Sequence, residues 1–190
     1  MSTQKNEGKR VLGIVGSPRR GGNTEILVDE VLRGAEEAGA LTEKVILNDL
    51  EIAPCQACDV ACEETGECIQ QDDMGEVVEQ MQRSEIWVLG TPVYWWGPTA
   101  QFKAFLDRWV GVRRTTFKGR KIILAIPLGD GNVHTARHTV GMLTDSVKYL
   151  GMDLVATLLA PGAMNRGQVR QYSEVLAAAY RAGQEAIQKS

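Results

Sequence analysis

The segment between residues 16 and 24 combines residue types that can bind an anion. Three glycines would let the backbone approach a phosphate closely, three hydroxyl or amide side chains add hydrogen-bond donors, and two arginines add positive charge. These residues are Gly16, Gly21 and Gly22, then Ser17, Asn23 and Thr24, and finally Arg19 and Arg20. The segment lacks the Gly-Lys-Ser/Thr ending of a nucleoside-triphosphate loop, and its spacing is not Gly-x-Gly-x-x-Gly. It therefore indicates a phosphate site of another kind, with a ligand-free turn as the alternative.

Two further loops have the composition expected beside a flat ligand. Residues 91–98 contain three consecutive aromatic side chains, which would border a planar ring or be buried in a subunit interface. Residues 127–134 are rich in glycine and short polar side chains, which again permit close approach of the backbone. The candidate residues are Pro92, Val93, Tyr94, Trp95, Trp96 and Gly97 in the first loop, and Leu128, Gly129, Asp130 and Gly131 in the second.

Composition argues against several classes of partner. The formal net charge is -3 and the lysines and arginines are scattered, so we expect no nucleic-acid partner. No apolar run approaches the roughly 20 residues that cross a bilayer, and the polar start does not resemble a signal peptide; we therefore expect a cytoplasmic protein without a membrane partner. All four cysteines lie between positions 55 and 68, whereas a disulfide framework would tie distant segments, so a reducing compartment fits better.

The elements that must position these loops alternate between short apolar runs and longer amphipathic stretches. Strands are predicted at residues 10–15, 44–47, 86–90 and 121–127, with a fifth, weaker run at 154–159. Helices are predicted at residues 24–38, 73–83, 99–110, 135–150 and 168–189. No repeat or linker divides the chain, so we predict one domain over residues 1–190. The alternation indicates a parallel sheet with helices on both faces, whose ligand site lies at the carboxyl ends of the strands.

Two stretches of the chain resemble the NAD(P)H-dependent FMN reductase family. They read Gly-Ser-Pro-Arg…Gly-Asn-Thr near the start and Thr-Pro-Val-Tyr…Gly-Pro…Gln-Phe-Lys-Ala-Phe-Leu-Asp-Arg in the middle. The resemblance implies a flavodoxin-like three-layer α/β sandwich, with a five-stranded parallel sheet in the order 2-1-3-4-5 and noncovalently bound FMN. It also implies that the first loop binds the flavin phosphate, that the other two loops border the ring, and that the protein is a homodimer or homotetramer.

The cysteine segment resembles the compact motif of the iron-sulfur flavoproteins. In those proteins four thiolates bind a [4Fe-4S] cluster that supplies electrons to FMN, and the matching ligands here are Cys55, Cys58, Cys62 and Cys68. The intervals here are two, three and five residues, whereas the usual interval between the second and third cysteines is two, so Cys62 is displaced by one position. A cluster, inert thiols, a zinc site and redox-active thiols are therefore all retained as alternatives.

The function implied by the resemblance is that of an oxidoreductase. FMN would accept a hydride from NADH or NADPH and pass electrons to a quinone, a free flavin or another small acceptor. Because the flavin carries the chemistry, no side chain is predicted to be catalytic. One alternative is an iron-sulfur flavoprotein that takes electrons from a ferredoxin-like donor, and the other is a nonenzymatic FMN electron carrier or redox sensor.

Overall fold

A computed structural model describes residues 8–58, 62–65 and 67–188, and its centre is a five-stranded parallel sheet. The strands are β1 (Arg10–Val15), β2 (Leu41–Ile46), β3 (Ile86–Gly90), β4 (Lys121–Pro127) and β5 (Asp153–Ala160). They lie side by side in the order β2-β1-β3-β4-β5, and every neighbouring pair is parallel. The predicted fold class and strand order are therefore confirmed.

The three central strands are continuous apolar runs because helices cover both faces of the sheet. All of β3 is buried, and so are β1 and β4 after their first residues. The two edge strands differ. β2 begins at Leu41, three residues before the predicted start. Leu41, Thr42 and Glu43 are partly or fully exposed, so the sequence shows no apolar run there. β5 alternates between exposed and half-buried residues along its first part, and it extends one residue beyond the prediction at each end.

Helices form the two outer layers. The α-helices are α1 (Asn23–Glu37), α2 (Cys62–Thr65), α3 (Met74–Arg83), α4 (Ala100–Asp107), α5 (Arg137–Tyr149) and α6 (Ser173–Gln188). Buried side chains of α1 and α6 pack on one face of the sheet, and those of α3, α4 and α5 pack on the other. Within the described part of the chain, no helix is both long enough and apolar enough to cross a membrane.

Three predicted helices were too long at one end, because tighter 3-10 turns flank the α-helices. The 3-10 turn Arg108–Gly111 follows α4, Val133–Ala136 precedes α5, and Gln168–Gln171 precedes α6. Position 189, the predicted end of the last helix, lies outside the described residues. The short helix α2 in the cysteine segment was not predicted.

Helices α1 and α6 touch through glycines. A Cβ atom on Gly34 would lie 2.0 Å from the carbonyl oxygen of Tyr180, and a Cβ atom on Gly183 would lie 2.0 Å from that of Val31. Backbone atoms, which cannot rotate away, occupy both positions. The close approach of the two helices therefore requires glycine at both sites.

The variant Gly183→Ala tests this contact. The added methyl group meets backbone rather than a flexible side chain, so we expect a loss of about 1–3 kcal/mol in the free energy of unfolding, measured by urea denaturation. Gly141→Ala in α5 is the control, because a Cβ atom there has no neighbour within 4 Å. Alanine is the better helix former, so the control gains stability by roughly 0.5–1 kcal/mol. Equal stability of the two variants would contradict this account of the packing.

Candidate functional site

The loop after β1 turns directly into the first turn of α1. Gly16 donates its N–H to the carbonyl oxygen of Gly90 over 2.7 Å, and a Cβ atom on Gly16 would lie 2.7 Å from the side chain of Phe102. Gly22 is the N-cap residue of α1, and no side chain caps the helix there. The backbone N–H groups and the positive end of the helix dipole are therefore presented to the loop, which is the arrangement that binds a phosphate.

A cavity of about 300 Å³ opens beside this helix terminus, at the carboxyl edge of the sheet. Ten of the predicted cofactor-binding residues line it: Ser17, Arg19, Asn23, Thr24, Pro92, Val93, Tyr94, Leu128, Gly129 and Asp130. Five others do not line it: Gly22, Trp95, Trp96, Gly97 and Gly131. The structure thus brings all three predicted loops to one place, while their role toward FMN stays a prediction.

The side chain of Asn23 is used inside the protein. Its Nδ2 donates to the carbonyl oxygens of Ala163 and Asn165, each over 2.8 Å, and its Oδ1 accepts from the N–H of Val169 over 3.0 Å. The sequence predicts this amide as a donor to the phosphate. With both amide hydrogens engaged, what Asn23 offers an anion is its backbone N–H. Its side chain instead fastens the loop after β5 to the start of α1.

The two arginines of the loop take different directions. Arg19 lines the cavity, whereas the guanidinium of Arg20 pairs with Asp49 and lies 3.9 Å from a carboxylate oxygen of Glu25. That carboxylate also accepts the N–H of Gly21 over 2.6 Å and bonds to Lys44 over 2.9 Å. Burial raises the pKa of Glu25, but these hydrogen bonds and the nearby cations outweigh it and hold the pKa below its usual value. Arg20 therefore belongs to an ion-pair network beside the cavity.

A fourth loop, which was not among the predicted site loops, completes the cavity wall. It follows β5, and its residues Ala163 and Met164 line the cavity. The N–H of Ala163 donates to the carbonyl oxygen of Leu128 over 2.9 Å, and Arg19 donates to that of Met164 over 3.2 Å. The available signal was its position, because this loop begins at the carboxyl end of the fifth parallel strand, as the other loops begin at the ends of theirs.

The aromatic loop after β3 contains a strained turn. Trp95 and Trp96 have φ values of 50° and 62°, and Tyr94 and Gly97 exchange two backbone hydrogen bonds of 2.8 and 3.0 Å. Two successive positive φ values make a mirror-image hairpin turn, which normally selects glycine and asparagine. The hydroxyl of Thr139 donates to the carbonyl oxygen of Trp96 over 2.9 Å and holds the turn. Tyr94 faces the cavity, while Trp95 is 91% exposed.

A second cavity, of about 270 Å³, is lined by all four cysteines. The cysteines are free thiols, each half-buried, and the other lining residues are Ala57, Gln70, Arg108, Val110 and Gly111. Residues 59–61 and 66 of this segment lie outside the described residues. In the ranges that are described, no group of three or more His, Cys, Asp or Glu side chains is arranged around a single metal ion.

A buried ion pair between Arg108 and Asp72 lies beside the two ends of the cysteine segment. Arg108 is 3% exposed, and its Nη1 and Nη2 bond to the two carboxylate oxygens of Asp72 at 2.5 and 3.1 Å. Nη1 also donates to the carbonyl oxygen of Ala53 over 3.0 Å. Burial raises the pKa of Asp72, but the hydrogen bonds from Arg108 and from backbone N–H groups lower it below its usual value. The pair joins the residues just before Cys55 to those just after Cys68.

The sheet order defines a flavodoxin-like α/β protein, and its first cavity opens at the start of α1. The sequence profile of the NADPH-dependent FMN reductase family matches residues 9–162. The chain therefore belongs to this oxidoreductase family, which confirms the resemblance noted in the sequence.

The relatives in this family include iron-sulfur flavoproteins. One from Methanosarcina thermophila is 35% identical over 147 residues, which cover 77% of this chain and 76% of that protein. Another, MJ1083 from Methanocaldococcus jannaschii, is 43% identical over 99 residues, which cover 52% of this chain and 51% of that protein. The chain thus matches about half the length of this second relative.

A solved structure has the same fold. The NAD(P)H:quinone oxidoreductase from Methanothermobacter marburgensis superposes with a TM-score of 0.76 at 21% identity, covering 94% of this chain and 96% of that one. At this identity the likeness concerns the arrangement of the strands and helices.

The variant Asn23→Ala tests how the cavity wall is held. It leaves the buried carbonyl oxygen of Ala163 and the N–H of Val169 without their partner, so we expect a loss of about 1–3 kcal/mol in the free energy of unfolding. Hydrogen exchange should rise at residues 163–169 before it rises in the sheet. Asn48→Ala is the control, because Asn48 accepts one exposed hydrogen bond from Gln101. If the Asn23 variant matched this control in stability and exchange, the loop would be held by other contacts.

Proposed function

We propose that this chain is an FMN-dependent NAD(P)H oxidoreductase that passes electrons to a small acceptor such as a quinone or a flavin. The observation that carries the proposal is the first cavity, where an uncapped helix terminus and Arg19 meet the loops after β3 and β4. A volume of about 300 Å³ falls at the lower end of the range for small-molecule sites, which suits a ligand whose ring stays partly open to a reaction partner.

The residues of the cavity divide into two groups in this proposal. Backbone N–H groups at the start of α1, the hydroxyl of Ser17 and the guanidinium of Arg19 bind the phosphate. The segments 92–94 and 128–130 border the ring, with backbone groups facing its polar edge. When bound, FMN supplies the chemistry by accepting a hydride and returning electrons. The protein orients the flavin and leaves one face accessible.

The accessible face must admit both NAD(P)H and the acceptor. Tyr94 lines the cavity, whereas the exposed side chains of Trp95 and Trp96 in the same turn do not enter it. We place a neighbouring subunit of a homodimer or homotetramer beside this turn, where it would cover the exposed indoles. The flavin would then lie near a subunit interface.

The neighbouring arginines provide a matched test of the phosphate site. Arg19→Gln removes a charged donor from the cavity, and we expect the dissociation constant for FMN to rise about tenfold, since a charge-assisted hydrogen bond contributes about 1.5–3 kcal/mol when buried and less when exposed. Arg20→Gln removes the same charge from a residue that is paired with Asp49 and Glu25, so FMN binding should change little. FMN titration of the apoprotein at low and moderate salt measures both.

Two results would overturn this assignment. One is an apoprotein that binds no FMN after reconstitution. The other is an equal loss of affinity in the two arginine variants, which would mean that the site responds only to net charge. With FMN bound, bleaching of the flavin spectrum by NADH or NADPH tests the electron donor.

A second candidate function adds a cluster to the flavin, and the second cavity favours it. Because all four cysteines line one cavity, Cys55, Cys58, Cys62 and Cys68 would bind a [4Fe-4S] cluster that takes electrons from a ferredoxin-like donor. A cubane holds its four ligand sulfurs farther apart than a single ion does, so a [4Fe-4S] cluster does not require the single-ion arrangement that the described residues lack. The buried guanidinium of Arg108 beside the thiols also offers an N–H donor to an anionic group.

Anaerobic reconstitution tests the cluster. We expect about four iron and four sulfide ions per chain, with a broad absorbance near 400 nm that dithionite bleaches. Each of the variants Cys55→Ala, Cys58→Ala, Cys62→Ala and Cys68→Ala should lose most of the iron, while FMN binding at the separate first cavity serves as the internal control for folding. Bound zinc without sulfide, or full iron content in a cysteine variant, would contradict the four-cysteine cluster.

A further inference from the structure

The guanidinium of Arg108 presents an unused hydrogen-bond donor at the cysteine cavity. The residue is 3% exposed and lines that cavity together with the four cysteines. Arg108 is the first residue of the 3-10 turn Arg108–Gly111, and this turn contacts Cys68. A Cβ atom on Gly111 would lie 3.2 Å from the Cβ atom of Cys68. Arg108 is therefore both buried and close to a thiol.

Within the described part of the chain, the hydrogen bonds of the guanidinium involve its two Nη atoms and not its Nε atom. Asp72 and the carbonyl oxygen of Ala53 take the Nη end, whereas the buried Nε has no partner among the described residues. A charged N–H buried without a partner costs about 1–3 kcal/mol or more, so such groups call for an explanation. Arginine suits a site of this kind because its donors are fixed in one plane and can serve two partners at once.

We infer that Arg108 is a positioning residue of the cysteine cavity, whose Nε–H donates a hydrogen bond to the Sγ atom of a cluster ligand and stabilises the reduced cluster. We assign Cys68 as this ligand, because Gly111 of the same turn packs against Cys68 and the Cys68 side chain interacts with the guanidinium. This inference rests on the cluster proposed above. Hydrogen bonds to the sulfurs are among the factors that set the potential of such clusters, and a donor stabilises the more negative, reduced form.

The ion pair with Asp72 determines how Arg108 acts. Because the carboxylate balances the guanidinium charge at close range, the effect on the sulfur comes chiefly from the directed N–H group. The same pair holds Ala53 through the carbonyl oxygen, and Asp72 accepts the N–H of Ala53 over 3.0 Å. Arg108 thereby fixes both ends of the segment that carries the cysteines.

Redox titration of the anaerobically reconstituted full chain tests the inference. Dithionite adds one electron, converting the 2+ cluster core to the 1+ core, and EPR measures the reduced fraction. For Arg108→Gln we expect the equilibrium constant for reduction to fall about tenfold, a potential about 59 mV lower. The potential of Arg108→Lys should shift in the same direction, because a lysine keeps the charge but cannot donate to Asp72 and to the sulfur at the same time.

The matched control is Arg113→Gln. Arg113 lies beside the same segment in an exposed pair with Glu67, so the variant removes an equal charge without removing a buried donor. Its potential should equal that of the unaltered protein. If Arg113→Gln shifted the potential as much as Arg108→Gln does, general electrostatics would explain the effect and the inference would be overturned.

A measurement without substitution of Arg108 decides the matter if its variants do not fold. The chain is labelled with [15N]arginine, and pulsed EPR of the reduced cluster should detect a 15N coupling, which persists in labelled Arg113→Gln. A reduced cluster without 15N coupling overturns the inference and leaves the cluster proposal intact. Failure to bind iron overturns the cluster proposal and the inference together, while FMN binding by the same sample separately tests the flavin proposal.

Discussion

Parallel strands that are buried on both faces must be joined through helices, and their carboxyl ends then meet at one edge of the sheet. In this chain the constraint acts most strongly at β1 and β3. A Cβ atom on Gly13 or Gly90 would lie 2.7 or 2.6 Å from the side chain of Val28 in α1. Glycine at these positions lets α1 lie close to the sheet, and this places the start of α1 at the end of β1, where the first cavity opens.

The sheet brings the loops to one edge, but hydrogen bonds between loops give the cavity its shape. The N–H of Gly162 donates to the carbonyl oxygen of Asp130, and Asn23 bonds to residues on either side of Met164. Each of these bonds joins segments that are distant along the chain. The loop after β5 is consequently fastened both to the loop after β4 and to α1.

The parts of this architecture that the sequence predicts are those with a local cause. The buried strands β1, β3 and β4 were predicted to the residue, because full burial produces an unbroken apolar run. The edge strand β2 was predicted late, since its first residues face solvent and resemble a loop. The 3-10 turns at the ends of three helices keep nearly the same apolar spacing as the helices, so periodicity could not separate them.

The roles of individual polar residues could not be predicted, because they depend on partners far away in sequence. Arg19 and Arg20 are adjacent and chemically identical, yet one lines the cavity and the other pairs with Asp49, which lies beyond β2. Asn23 was recognised as a donor, but its acceptors lie about 140 residues later in the chain. Residue type shows that a side chain can donate a hydrogen bond or carry a charge, whereas its partner is determined by the fold.

Helix α4 runs from the first cavity to the second. Because it is packed into the core, it fixes the distance between them. At its start, Thr99 caps the helix by accepting the N–H of Phe102 and donates its hydroxyl to the carbonyl oxygen of Gly16 in the loop after β1. At its end, Arg108 lies against the cysteines. Eight helical residues span about 12 Å, and Phe102, Phe105 and Trp109 pack edge to face along the buried side. Because the two cavities lie at opposite ends of this helix and share no lining residue, binding at the proposed flavin site can serve as a folding control for variants of the cysteines.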